Sequence, residues 1–574
     1  MKKFIAILLT LSLVFSFCAV SASAAEEEGP DISYAVASDL HFNFPDEKLE
    51  WFSEDPIYGY ANRRAAMENE SGLIIDEFLN QCAEDETIQF VLIAGDLADN
   101  GKGDYTEHVA VAEKLKEFET KSGKSVYVIP GNHDVCNPSK DDDTDLARFM
   151  EIYADFGYDK ALTRDLPYAS YTADLGEKYR LIALDSNDPS KSTEDGMNDH
   201  KVQWVIDQAE QAKKDGRYPI LMMHHNLLDH LPMQRLLSHD FIIRNHTITA
   251  ERWANAGIKL VFSGHEHCSD ATTYVSTTGN TISDFATTSL TMYPLQYRYL
   301  EMHEDAIIYE ARTVDKIDTD ALKEMIPDYS DEQLAEMNKG LNAFAKNFLK
   351  NGVEWRLERG FLDEQLGIKP GDIYYDLVRD AIDALNGVLN MPLYGKGSAQ
   401  ELGAKYGIEI PDSEYKDGWD VATELVSAHY AGSENYPLSG RDVTLLMRLV
   451  SIVLKTELAM VDDMVLTQAA TAIVSATLGT EKYVIVENYL FGIGYGPISP
   501  GEYFLLAIAS PLLQSFANDD GVDDNNGVID GYGVNNNAEN VKENVTISIS
   551  EFLSYMKMIL KFILKGLHVI GQVE

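Results

Sequence analysis

Ser125-Val126-Tyr127-Val128-Ile129-Pro130-Gly131-Asn132-His133-Asp134 is an apolar, β-branched run that stops at a glycine and hands over to an amide, an imidazole and a carboxylate. The run reads as a buried strand. Its polar tail therefore stands at a strand's carboxyl end, where open α/β sheets carry their chemistry. Gly-Asn alone is also ordinary turn chemistry, so the reading depends on whether other strand signals end the same way.

They do. The apolar run 32–37 leads into Asp39 and His41. Positions i and i+2 of a strand share a face, so these two side chains are expected to reach one ion together, a surface pair being the alternative. Residues 90–94 end in Gly95-Asp96-Leu97-Ala98-Asp99, where glycine allows the sharp turn that presents Asp96. Residues 179–184 end at Asp185, residues 220–223 in His224-His225-Asn226, and residues 259–263 in Gly264-His265-Glu266-His267. Helical spacing over 62–82, 106–120 and 202–212 separates the strands, which predicts a layered α/β domain. Shorter strands over 273–276, 281–286, 297–302 and 306–311 close it. Of the chain's 14 histidines, five (His41, His133, His224, His265, His267) sit at these strand ends without counting His225. Carboxylate, imidazole and amide donors at successive strand ends suit a pair of divalent cations such as manganese, iron or zinc. Asp96, the lone carboxylate of its fragment, is the natural bridge between two ions about 3.5 Å apart.

In this order and spacing the fragments resemble the calcineurin-like metallophosphoesterase superfamily, over about residues 32–314. The resemblance implies an α/β fold, a two-sheet metallophosphoesterase sandwich flanked by helices, around a binuclear metal site. Carried over residue by residue, one ion takes Asp39, His41, Asp96 and His267, and the other takes Asp96, Asn132, His224 and His265. His224 is preferred to His225 because the family's ligand is the first histidine after the strand, although Asn226 stands where a proline is often found. His133 faces the substrate phosphate, and Asp134 orients it. Two cations lower the pKa of a shared water, so hydroxide is the attacking group and no nucleophilic serine or cysteine is required. His133 hydrogen-bonds the phosphoryl group or protonates the leaving oxygen.

The substrate is read from finer features. Purple acid phosphatases need a tyrosine at position 99, where this chain has Asp99. The 5'-nucleotidases carry a mixed α/β substrate domain, whereas the tail here reads as helical. Residues 131–138, Phe156-Gly157-Tyr158 and Leu184-Asp185-Ser186 resemble a group of Gram-positive extracytoplasmic cyclic-nucleotide phosphodiesterase-like enzymes, which also carry helical carboxyl-terminal extensions. The expectation is a phosphodiesterase of small (cyclic) nucleotides or related diesters, with a phosphomonoesterase as the alternative. A reading from another class, an inactive surface-binding protein on the same scaffold, is disfavoured by the complete set of ligands.

The remaining sequence bounds location and partners. Lys2 and Lys3, the apolar run 4–20 and Ala22-Ser23-Ala24 form a secretory signal pattern, so residues 1–24 read as a signal peptide and the protein as secreted or cell-surface. A net charge of -46 repels polyanions at long range and argues against long nucleic acid as a partner. Small phosphoesters remain open, because bound cations invert the local field. Cys82, Cys136 and Cys268 are expected as buried free thiols, a Cys136–Cys268 bridge being the alternative. Residues 25–314 form the expected catalytic domain and 315–517 a mainly helical C-terminal domain, in which Ser330-Asp331-Glu332-Gln333 is a capping box. Residues 518–546, rich in Asp, Asn and Gly, read as a linker, with a calcium site as the alternative. Residues 547–574 read as an amphipathic helix with a basic stripe, suited to a membrane surface, a partner's groove or the helical domain.

Overall fold

The strands β1 (Ile32–Ala37) and β2 (Phe90–Ile93) are buried at every position, as parallel strands covered on both faces must be. The computed structural model describes residues 30–45, 65–101, 103, 105–136, 144–191, 193–230, 234, 240–355, 370–371, 375–436, 440–456 and 523–532. The expected signal peptide and C-terminal helix lie outside them. No helix among the described residues is long and apolar enough to cross a membrane.

The other strands are β3 (Ser125–Val128), β4 (Thr163–Asp165), β5 (Ser170–Leu175), β6 (Tyr179–Ala183), β7 (Tyr218–Met222), β8 (Leu260–Ser263), β9 (Asp270–Val275), β10 (Thr281–Ala286), β11 (Gln296–Met302), β12 (Ala306–Thr313) and β13 (Asn526–Asp530). One sheet runs β13-β12-β11-β1-β2-β3 and the other β4-β5-β6-β7-β8-β10-β9. The helices α1 (Ser71–Glu84) and α2 (Thr106–Ser122) make the crossovers that leave β1, β2 and β3 parallel.

Side-chain alternation shows how the layers stack. Leu181, Ile220 and Phe262 share a core with Tyr34 and Val36 of the first sheet. Their neighbours Ile182, Leu221 and Val261 face the opposite way, into a core with Val205 and Trp253. Those two residues come from the helices Asp199–Lys214 and His246–Ala256. A one-residue slip would exchange the two sets. Each buried side chain of this size contributes roughly 1.5–3 kcal/mol, so the register is held strongly.

Two expected boundaries are corrected. The helical region does not begin as a separate unit at residue 315. Leu322, Tyr329, Leu341 and Phe348, from the helices Thr319–Met325 and Leu341–Trp355 and the turn between them, belong to the same core as the strands. A second core, with Leu389, Trp419, Leu445 and Leu449, forms only farther along. An amphipathic pattern tells which face is apolar but not which surface receives it. The expected linker also fails for Asn526–Asp530, which is β13 and pairs antiparallel with β12. Its Asn, Gly and Asp content fits an edge strand whose outward positions meet water. The capping box at Ser330 is present: Gln333 N–H donates to Ser330 Oγ (3.2 Å) and Ser330 N–H to Gln333 Oε1 (2.8 Å). Cys82, Cys136 and Cys268 are free and buried.

Candidate metal centre

Loops leave the carboxyl ends of β1, β2, β3, β7 and β8 and meet at one place. Glycines let them approach. A Cβ on Gly95 (φ +95°) would lie 2.6 Å from His224 Nδ1 and 2.8 Å from Gly131 N. Asp39, His41, Asp96, His265 and His267 all carry positive φ, between 41° and 68°. Such backbone costs on the order of 1–3 kcal/mol per residue and persists only where surroundings impose it. Here Asp39 N–H donates to Gly95 O and His41 N–H to Asp96 O, both at 3.0 Å, and Ser289 Oγ donates to Asp39 O at 2.8 Å. The i, i+2 pleat is therefore not what brings Asp39 and His41 together. β1 has ended by Ala37, and two left-handed residues turn both side chains inwards.

The donor atoms converge in three overlapping groups: Asp39, His41 and His267; His41, Asp96 and His133; and Asp96, His224 and His265. His267 Nε2 lies 3.1 Å from Asp39 Oδ1 and 3.2 Å from His41 Nε2. Asp96 Oδ2 lies 3.3 Å from His224 Nε2 and 3.8 Å from His41 Nε2. Asn132 Oδ1 is 3.1 Å from His224 Nε2. Several imidazoles present Nε2 inwards and secure Nδ1 outside the cluster: His224 on Ala94 O (2.9 Å), His267 on Met292 Sδ (2.9 Å), His41 beside Asp99 Oδ1 (3.3 Å). A carbonyl can only accept, so His224 Nδ1 carries a proton and Nε2 is the nitrogen turned towards Asp96 and Asn132. His225 differs. Its Nδ1 meets Ser186 Oγ at 2.8 Å and its Nε2 meets Thr193 O at 3.0 Å, so both nitrogens serve the scaffold.

Asp96 Oδ2 and His265 Nε2 are buried and have no hydrogen-bond partner among the described residues. Orphaned lone pairs on a carboxylate and an imidazole, in a nest of further nitrogen and oxygen donors, fit a divalent cation. The electrostatics agree. Burial works to raise the Asp96 carboxyl, but the His224 and His133 imidazoles hold it well below the usual carboxylate range. Burial opposes charge on His224, yet Asp96 pushes it up to about 9. His265 is driven well below its ordinary value by burial and by its histidine neighbours, which keeps it neutral.

Asp134 is not at the cluster. It is fully buried and accepts hydrogen bonds from Gly131 N–H (2.8 Å), Ala98 N–H (3.0 Å) and Leu97 N–H (3.2 Å). It ties the β2 loop to the β3 loop, and the expectation that it orients His133 is corrected. Asp99 stands there instead: His133 Nδ1 is 2.8 Å from the Asp99 carbonyl and 3.7 Å from its Oδ1. In the sequence, the only signal for this role of Asp99 is its place at the end of the Gly95-Asp96-Leu97-Ala98-Asp99 turn. Ser289 and Met292 carried no sequence signal at all.

Residues 32–269 match the family model described as calcineurin-like phosphoesterase. This stretch, less than half of the chain, is similar to the calcineurin-like phosphoesterases. The protein is a metal-dependent phosphoester hydrolase, with His and Asp groups able to hold metal ions. No curated protein matches the chain. Among solved structures, a dimetal phosphatase from Danio rerio is similar at 12% identity, over 50% of this chain and 96% of its own, with a TM-score of 0.34. The NAD nucleotidase NadN of Haemophilus influenzae is similar at 12% identity, over 55% of this chain and 60% of its own, with a TM-score of 0.27. The phosphopantetheinyl hydrolase of Mycobacterium tuberculosis is similar at 13% identity, over 45% of this chain and 90% of its own, with a TM-score of 0.25.

The ion triad of His230, Asp270 and Asp284 predicts a pH dependence of stability. His230, buried, lies 2.5 Å from Asp270 Oδ1 through Nδ1 and 3.1 Å from Asp284 Oδ2 through Nε2. Burial opposes its charge, but Asp284 and Asp270 prevail and push it up to about 10. A folded pKa above the unfolded one stabilises fully below the unfolded value of about 6.5. That stabilisation is lost as pH rises through about 10. Denaturant unfolding at pH 7 and pH 10 should therefore show a larger fall for the native protein than for His230→Asn. An equal fall in both would refute this role.

Proposed function

We propose that the protein is an extracytoplasmic phosphodiesterase acting on small (cyclic) nucleotides or related diesters through two divalent cations. One cation is assigned to Asp39, His41, Asp96 and His267, the other to Asp96, Asn132, His224 and His265. The observation that carries this reading is the position of Asp96, which belongs to two of the donor groups and whose Oδ2 lies 3.8 Å from His41 Nε2 and 3.3 Å from His224 Nε2. Bound divalent ions supply an activated water and polarise the phosphoryl oxygen.

The chain's own residues do the rest. His133 donates through Nδ1 to the Asp99 carbonyl, which leaves Nε2 as the ring atom that gives or takes a proton at the leaving oxygen. Its backbone N–H holds Asp96 Oδ1 at 2.7 Å, so the proton donor and the shared carboxylate move as one piece. The choice of a diester rests on the resemblance of residues 131–138, 156–158 and 184–186, and the net charge of -46 favours a small substrate over long nucleic acid. The secretory pattern of residues 1–24 supports an extracytoplasmic location.

A panel of aryl phosphodiesters and monoesters, assayed with manganese and after chelation, tests this. The expected result is cation-dependent turnover that favours diesters. A monoester preference above about tenfold, worth some 1.4 kcal/mol in the barrier, would replace the diesterase reading with a phosphomonoesterase. Absence of cation-dependent turnover on every substrate would sink the mechanism.

A further inference from the structure

The chain that leaves the His265–His267 loop is gripped by a segment from far downstream. Residues 523–532 lie more than 250 positions beyond His267, and the family match ends at residue 269, where the grip begins. Asp524 is buried, and its Oδ1 accepts the Ala271 N–H at 2.8 Å. Asn525 Oδ1 accepts from Ser269 Oγ at 3.2 Å, while its Nδ2 donates to Ala431 O (2.7 Å) and Gly432 O (2.8 Å) of the helical region. Beneath them lies Arg298 on β11, 1% exposed. Its guanidinium donates to Asp524 O (2.6 Å), Ser269 Oγ (3.1 Å), Asp270 O (3.1 Å) and Ala286 O (2.6 Å). A buried guanidinium with its donors shared among four sites in three strand-end segments fixes their spacing, because each lost bond would leave a buried polar group unpaired.

The fit leaves little slack. A Cβ on Gly432 would meet Asp524 Cβ at 2.6 Å, and Ser269 N–H is held by Tyr430 O at 3.1 Å. The far end of the segment is anchored independently. Tyr532 stacks on Tyr218 at 4.8 Å and donates to Pro219 O at 2.8 Å, and Lys259 Nζ donates to Gly531 O at 2.6 Å. Residues 523–532 thus join one sheet as β13, touch the other through Tyr532, and set the path of Ser269 to Ala271, two residues beyond His267.

We propose that Asp524 is a positioning residue of the metal centre. Through Ala271 and Arg298 it fixes the course of the chain that carries His267, whose left-handed backbone (φ 63°) needs support from outside its own loop. The inference rests on the reading of Asp39, His41 and His267 as metal ligands. It means that the C-terminal part of the chain, though outside the phosphoesterase match, is needed for a complete site.

The test uses the full chain and manganese, with the dissociation constant measured by competition against a fluorescent chelator and the unfolding midpoint measured without metal. Asp524→Ala should weaken manganese binding by about 10- to 100-fold, the effect typical of groups that orient a ligand. Asp524→Asn, whose amide oxygen still accepts the Ala271 N–H, should recover most of that loss. Lys259→Ala, at the distal anchor, should lower the unfolding midpoint and leave the manganese constant unchanged. If Asp524→Ala does not fold, Asn525→Ala should show the weakened binding in its place. Native-like manganese affinity in a folded Asp524→Ala, or in Asn525→Ala where that substitute is used, overturns the proposal, as does failure of Asp524→Asn to recover. Absence of manganese binding by the native protein overturns the metal-centre reading itself, which separates the two failures.

Discussion

Asp96→Asn should abolish cation-dependent phosphoester hydrolysis while leaving the protein folded. Asparagine matches the shape of aspartate, so the packing around β2 is kept. What is lost is the negative charge that holds the His224 imidazole up to about 9 and lies against His41 and His133. Groups that only orient a metal ligand typically cost 10- to 100-fold when removed, so a carboxylate assigned to both ions should cost more than about 100-fold in kcat/KM. Metal content should fall with activity. The amide also places N–H donors where His133 N–H now donates to Asp96 Oδ1. Turnover by Asp96→Asn within tenfold of the native rate would remove Asp96 from the mechanism.

Gly264→Ala is expected to do comparable damage through sterics alone. The added methyl would lie closer than 3.0 Å to both Ser38 Oγ and Asp39 Oδ2, a separation that real Cβ atoms essentially never show. Neither atom is the loose end of a flexible chain. Ser38 Oγ donates to Asp39 Oδ2 at 2.5 Å, and that same oxygen accepts the His265 N–H at 3.0 Å. Relief requires pulling Asp39 away from His267 or moving the strand end that carries His265. The expected outcome is a loss of about 1–3 kcal/mol in unfolding free energy, typical of overpacking, together with loss of metal binding. Gly387→Ala is the comparison, because a Cβ there meets nothing within 4 Å and the residue lies in the helix Tyr375–Leu389. It should be neutral or stabilising. Native-like metal binding by Gly264→Ala would show that the loops have slack the structure denies.

Much of this architecture can be read locally. The strands β1, β2, β3, β6, β7 and β8 appear as short apolar runs, and β10, expected over residues 281–286, is Thr281–Ala286 in the structure. The runs end in Asp, Asn or His because the carboxyl ends of parallel strands open onto loops where polar groups cluster. The less legible parts all involve groups with more than one local solution. Asp134 follows His133 in sequence, yet its carboxylate turns to three backbone N–H groups, and the Asp99 carbonyl takes the place beside the histidine. His224 and His225 are chemically identical neighbours. Only their surroundings separate them, since one finds Asp96 and Asn132 and the other finds Ser186 and Thr193. The segment around Asn526–Asp530 has the composition of a linker because an edge strand needs few apolar side chains.

By itself, the sequence determined the alternation of strands and helices, the order of the polar strand ends and the chemistry those ends can perform. These depend on patterns within a few residues, where side-chain period and turn preference act. The tertiary structure alone decided which donor atoms share one space, which glycines have no room for a methyl group, and which distant strand completes the sheet. Those outcomes depend on close packing between segments as far apart as Ala271 and Asp524, separated by 253 positions, and contacts of that kind leave no mark in any local stretch of chain.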